Sequence, residues 1–223
     1  MCFTERQSYL HAIILFLTAF IYKDKWRLSY SLIFLGFKDL LQGLLYTYIE
    51  DQEKLNLFTS LSWLHICFQP LFVNLIFSYF GKDELSYWNK VLLICLVFSL
   101  LSAFKLKEFS LGDHTPCEKA DKKDDYCTDE TTSYLGKYHI GYKFNLDTTN
   151  LSDKWYIILS FLPGLFSKTK LVPLIWTFFV IAINYVFRNV GTGEASAAWC
   201  YLSIIFGVPL TIFSDQVSGL NII

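Results

Sequence analysis

An all-α bundle of about seven transmembrane helices is the fold class this sequence predicts, with six helices as the alternative. Three observations carry the prediction. Of the 223 residues, 53% are hydrophobic and only 17% are charged, where soluble domains carry roughly a quarter. The apolar residues are gathered into runs separated by short charged punctuation. No Gly/Ser-rich or low-complexity stretch divides the chain, so residues 1–223 read as a single transmembrane domain. The net charge of -1 leaves no basic footprint, which removes nucleic acid as an expected partner. The lipid bilayer is the partner this composition implies.

A bilayer core takes roughly 20 helical residues to cross, fewer where Lys, Tyr and Trp snorkel at the ends. On that ruler the spans are 8–22, 29–49, 57–80, 88–104, 154–167, 171–187 and 195–213. The first and fifth are short. The fifth also contains Pro163 and Gly164, so a re-entrant segment is the alternative there. The first run, "HAIILFLTAFIY", has a signal-peptide flavour, but "KDKWR" follows it without a small-residue cleavage site, and it is kept as a helix.

Positive residues in short loops stay cytoplasmic. Alternating loops place Lys23, Lys25, Arg27, Lys82, Lys90, Lys168 and Lys170 on one side, against Arg6, Lys54 and Arg188 on the other. That asymmetry predicts the N-terminus outside. The polar segment 105–153, between the fourth and fifth helices, then lies outside the cytosol, although its many Lys residues pull the other way. Cys117 and Cys127 in this loop suit a disulfide in an oxidising compartment, the alternative being two free thiols. Asn150 begins a glycosylation sequon, "NLS", close to the fifth helix. The expected location is the plasma membrane or a secretory-pathway membrane.

The polar residues inside the apolar runs are the candidate site. Lys38 and Asp39 fall near the midplane of the second span, where each charge costs about 2.5–3.5 kcal/mol on insertion scales. Such a cost calls for a partner or a hydrated cavity. Gln42 shares their helix sector. In the third span, "SWLHICFQPLFVN" places Ser62, His65 and Gln69 on one face. Pro70 lacks an amide proton, so the Ile66 carbonyl loses its usual donor and a kink is expected. Asn74 lies beyond, on the opposite side of an ideal helix. These residues predict an inward wall of hydrogen-bonding groups, with His65 either a satisfied core histidine or a proton carrier. His11 reads as interfacial or structural. In the last span, Glu194 follows the N-cap Thr192 and has Arg188 as its local partner, either as a capped helix end or as an acidic group at an outside vestibule.

Recognisable catalytic motifs are missing: no HExxH, GxSxG or Walker loop, and no histidine set with metal spacing. No cofactor, metal or catalytic residue is therefore assigned, and an enzyme is the less favoured reading. Three pieces, "MCF" at the start, "KDLLQ" with "LHICFQPLFVN", and "GEASAAWC", resemble an uncharacterised family of small multipass membrane proteins, a domain of unknown function. Its members begin Met-Cys-Phe/Trp, and HIxFQPxxxN is its most specific motif. The resemblance implies a compact helical membrane domain with Gln42, His65, Gln69, Pro70, Asn74, Glu194, Trp199 and Cys200 at motif positions. It implies an acidic residue near Asp39 but not the lysine at 38.

The leading functional expectation is a channel or transporter for an ion, proton or small polar solute, using the Lys38/Asp39/Gln42 and His65/Gln69 cluster. The alternatives are a non-catalytic scaffold or accessory subunit, and a lipid-modifying enzyme with His65 as general base.

Overall fold

Helices α1 (Glu5–Ile21), α2 (Trp26–Thr47), α3 (Gln52–Phe80) and α4 (Leu85–Ala103) come first. They are followed by a 3-10 turn (Lys107–Phe109), strands β1 (Cys127–Leu135) and β2 (Ile140–Asn145), and helices α5 (Asp153–Leu165) and α6 (Leu171–Val186). The computed structural model describes residues 4–81, 83–109, 127–137, 139–146, 153–168 and 171–186. Six of the expected spans coincide with helices, and the seventh, 195–213, lies outside the described residues. By length and composition, α2, α3 and α4 are long and apolar enough to cross a membrane.

The helix starts follow local chemistry. Thr4 and Gln7 form a capping box at α1, and the Asp51 carboxylate accepts the Lys54 amide at 3.2 Å, so α3 begins ahead of its apolar run. Pro70 does not interrupt α3, which is continuous over 29 residues. Helix α5 has 13 residues, about 20 Å of rise, well short of a hydrocarbon core of ~30 Å.

The α1–α2 pair is close because α2 presents glycines two turns apart. A Cβ at Gly36 would lie 2.7 Å from Phe16 Cε1, and one at Gly43 would lie 2.8 Å from Tyr9 Cε1. Aromatic rings from α1 fill both notches, as small residues permit in membrane helix pairs. We expect the double variant Gly36→Ala/Gly43→Ala to be less stable by about 1–3 kcal/mol, overpacking outweighing the helix-propensity gain. Thermal unfolding in detergent measures it; an unchanged or raised Tm contradicts the close packing.

The helices carry an inverted amphipathic pattern. Along α4, the buried positions Trp88, Val91, Cys95, Ser99 and Ser102 recur at three and four, while Leu93, Ile94, Val97, Leu100 and Leu101 are exposed. In α1, Ser8, Ala12 and Thr18 face inward while Ile13, Leu17 and Phe20 face outward. The main core joins Leu15, Leu32, Val73, Phe77, Trp88 and Trp176 across five helices.

The segment 105–153 corrects the all-α expectation. There β1 and β2 form an antiparallel hairpin in the register Leu135↔Ile140, Ser133↔Tyr142 and Thr132↔Lys143, with an irregularity between Cys127 and Thr132. A bond from the Gly136 amide to the His139 carbonyl, 2.8 Å, closes its turn. The hairpin is not a free polar loop. Ile140, Tyr142 and Phe144 alternate along β2 and are buried with Leu45, Leu55 and Leu106, making a second core over the junction of α2 and α3. Thr59 and Ser133 share a hydrogen bond of 2.7 Å, and Gln52 Nε2 donates to Thr132 at 3.0 Å.

Candidate functional site

One stripe of α2, residues 38, 42 and 45–46, meets the hairpin. Its polar members Lys38 and Gln42, and Asp39 next to them in sequence, are each 1% exposed. Lys38 Nζ donates to the Tyr142 hydroxyl at 2.8 Å and sits 4.5 Å from the Tyr142 ring centroid. Gln42 Nε2 donates to the same oxygen at 3.3 Å. The buried cation is thus met by a charge-assisted hydrogen bond and a ring face. Four residues beyond Gln42, the Tyr46 hydroxyl accepts the Ile140 amide at 3.1 Å and anchors the first residue of β2. Behind Tyr142, its ring stacks on Phe144, which packs on Trp63 of α3 at a centroid distance of 5.1 Å.

His139, in the hairpin turn, is 4% exposed, and its Nδ1 donates to the Ile140 carbonyl at 3.2 Å. Burial pushes this imidazole down to about 4. The Lys38 charge adds to the depression, while the bond to the Ile140 carbonyl opposes it. The ring is therefore neutral at pH 7.

The third-helix residues divide between two neighbours. His65 turns to α2: its Nε2 donates to the Phe34 carbonyl at 2.7 Å, and its ring lies on the Phe34 ring at 3.8 Å. Phe34 is sandwiched, since Phe72 stacks on its far face at 3.9 Å. With Nε2 donating, His65 Nδ1 is a bare acceptor, and it has no hydrogen-bond partner among the described residues. Lys38 is within electrostatic reach of both His65 and His139.

Gln69 and Asn74 turn instead to α5. Gln69 Oε1 accepts the Tyr156 hydroxyl. Asn74 Nδ2 donates to the Leu159 carbonyl at 2.7 Å and to the Pro70 carbonyl of its own helix at 2.8 Å. Tyr87 of α4 adds a third tie, to the Pro163 carbonyl at 2.8 Å. Ser62 is spent on its own helix, at the Phe58 carbonyl. The single inward wall expected from the sequence is therefore two sets of cross-links. One binds α2, α3 and the hairpin, and the other binds α3 to α5. We expect Asn74→Ala to cost about 1–3 kcal/mol, because it takes a donor from the part-buried Leu159 carbonyl. Its effect should appear as faster amide exchange in α5, and exchange unchanged there contradicts the tie.

A small cleft of about 20 Å³, with room for about one water, is lined by Phe34, Leu35, Gln69, Phe72, Val73, Ile76 and Trp176. Neither Asp39 nor His65 lines it. Among the described residues, no group of His, Cys, Asp and Glu side chains is arranged to hold a metal ion. Cys67 and Cys95 are buried free thiols. Cys127 opens β1 opposite Asn145, while Cys117, its expected disulfide partner, lies outside the described residues, as do Asn150, Arg188, Glu194, Trp199 and Cys200.

Sequence reasoning missed Tyr142, Tyr46, Phe144, His139 and Tyr156. The alternation Ile140, Tyr142, Phe144 was a readable strand signal; the pairing of Tyr142 with a lysine 104 residues away was not. Comparison with curated proteins and with solved structures gives no significant match. The model of a family of unknown function, DUF5765, matches residues 9–217, and the chain belongs to that family.

Proposed function

We propose that this is an integral membrane protein acting as a non-catalytic scaffold or accessory subunit, its helices crossing the bilayer and its polar cluster holding the hairpin and α5 in place. The inverted pattern of α1 and α4 supports the membrane reading, because only lipid favours Leu and Ile outside and Ser inside. In this reading 195–213 supplies a seventh span, or a sixth if α5 does not cross. The N-terminus and hairpin face outside, Asn150 and the Cys117/Cys127 pair meet an oxidising compartment, and Arg188 with Glu194 sits at that mouth. The single observation that carries the scaffold role is how the polar side chains are used. Lys38, Gln42, His65, Gln69 and Asn74 are each bonded to a neighbouring element.

The second reading is a channel or transporter for an ion, proton or small polar solute. The buried adjacent charges Lys38 and Asp39 favour it. Flux of protons and K⁺ in proteoliposomes separates the two. The scaffold reading predicts flux no higher than in protein-free vesicles and a lower Tm for Asp39→Asn. Flux that Asp39→Asn abolishes while the protein stays folded establishes transport instead. Resistance to carbonate extraction tests the membrane reading itself; release into the supernatant overturns it.

A further inference from the structure

We infer that the α1–α2 turn is a binding site for the phosphate headgroup of an anionic phospholipid. The inference rests on the membrane reading above and adds a ligand class at the end of the molecule opposite the hairpin. The turn packs three cations, Lys23, Lys25 and Arg27, into five residues. Each stands beside an aromatic ring. Lys23 Nζ lies 5.7 Å from the Phe20 centroid, and Arg27 lies 5.3 Å from Trp26. Lys25 Nζ is 5.4 Å from Tyr22 and 6.0 Å from Tyr79 of α3, so two helices frame it.

Arg27 Nη1 also donates to the Ser78 carbonyl at 3.0 Å, which fixes the guanidinium at the end of α3. Lys23 and Arg27 form no ion pair among the described residues. The nearby acids are engaged elsewhere: Asp83 accepts the Lys168 amide through both oxygens at 3.0 and 3.1 Å, and Glu84 accepts the Ser86 hydroxyl. Asp24 lies within the same turn of the sequence.

The surroundings set the depth. Phe20 and Ile21 are each 71% exposed, and Trp26 and Tyr30 are exposed beside them. An apolar and aromatic belt ringed by cations is the pattern of the interface, where Trp and Tyr sit at headgroup level and basic residues meet anionic lipid. A phosphodiester offers acceptor oxygens to the guanidinium and ammonium donors together, while its acyl chains lie along the exposed apolar faces of α1 and α2. A zwitterionic headgroup presents its own cation to the same groups and is disfavoured.

Each basic residue near an anionic surface contributes roughly fivefold in affinity, so removing three removes about two orders of magnitude. The test uses full-length protein in neutral detergent and follows Tm as phosphatidylglycerol, phosphatidylcholine or sodium glycerol 3-phosphate is added. Wild type should be stabilised by phosphatidylglycerol alone, with the effect weakening as salt rises. The triple variant Lys23→Gln/Lys25→Gln/Arg27→Gln should need about a hundredfold more of that lipid. If the triple variant does not fold, Lys23→Gln, which alters only an exposed contact, should show a fivefold change. Lys107→Gln/Lys143→Gln, at the hairpin end, should respond as wild type. An equal response to phosphatidylcholine, or an unchanged response in the turn variants, overturns the site. A shift reproduced by glycerol 3-phosphate overturns the lipid assignment. A protein that proves soluble without detergent fails the membrane reading, whereas one that requires detergent but ignores phosphatidylglycerol fails this inference alone.

Discussion

Tyr142→Ala is expected to undock the hairpin from the helices. The Tyr142 side chain is fully buried at the centre of the second core. Truncating such an aromatic costs about 3–5 kcal/mol in packing alone. It also removes the hydroxyl that Lys38 Nζ and Gln42 Nε2 share as acceptor, which adds about 1–3 kcal/mol. Tyr142→Phe isolates the second effect, since the ring and its stacking on Phe144 are retained. It should cost about 1–3 kcal/mol. Hydrogen exchange at the β2 amides measures both: Tyr142→Ala should bring them to loop-like rates, and Tyr142→Phe to an intermediate rate. Unchanged protection in the alanine variant contradicts the docking.

Acidification is expected to act at the same place. His139 is held near 4 in the folded protein by burial first and then by Lys38, while an unfolded histidine titrates near ~6.5. Between these values the unfolded chain binds the extra proton. The stabilising contribution of neutral His139 is therefore fully present above pH ~6.5 and is lost as pH falls toward about 4, a loss on the order of 3 kcal/mol. A protonated ring would also face Lys38 and its like charge. The predicted result is a Tm that declines across this window, with the decline reduced in His139→Gln. A variant as pH-dependent as wild type shows that other groups carry the effect.

What the sequence disclosed and what it withheld divide along a physical line. Apolar runs are visible in composition, so α1 to α6 could be placed from it, and the fifth run was already short. Helical periodicity put Lys38 with Gln42, and His65 with Gln69. It also set Asn74 on another side, whereas the structure turns Asn74 and Gln69 alike to α5. Periodicity assigns a residue to a face but not to a partner. The acceptor for Lys38 comes from β2, and Gln69 finds Tyr156 rather than a member of the expected wall. The hairpin was hidden because segment 105–153 is polar overall, and because Thr131 and Ser133 are buried residues of a kind usually found in loops. Its visible trace was the alternation of Ile140, Tyr142 and Phe144.

A buried lysine of α2 and a tyrosine of the hairpin, 104 residues apart, form the cross-link between the two elements. The measurement that addresses it most directly is a double-mutant cycle of Lys38→Met and Tyr142→Phe, read as unfolding free energy in one detergent. If the two side chains are partners, the double variant is more stable than the sum of the single losses predicts, with a coupling of at least about 1 kcal/mol. Losses that add to within about 0.5 kcal/mol would mean that Lys38 and Tyr142 do not meet and that the hairpin is held by other contacts.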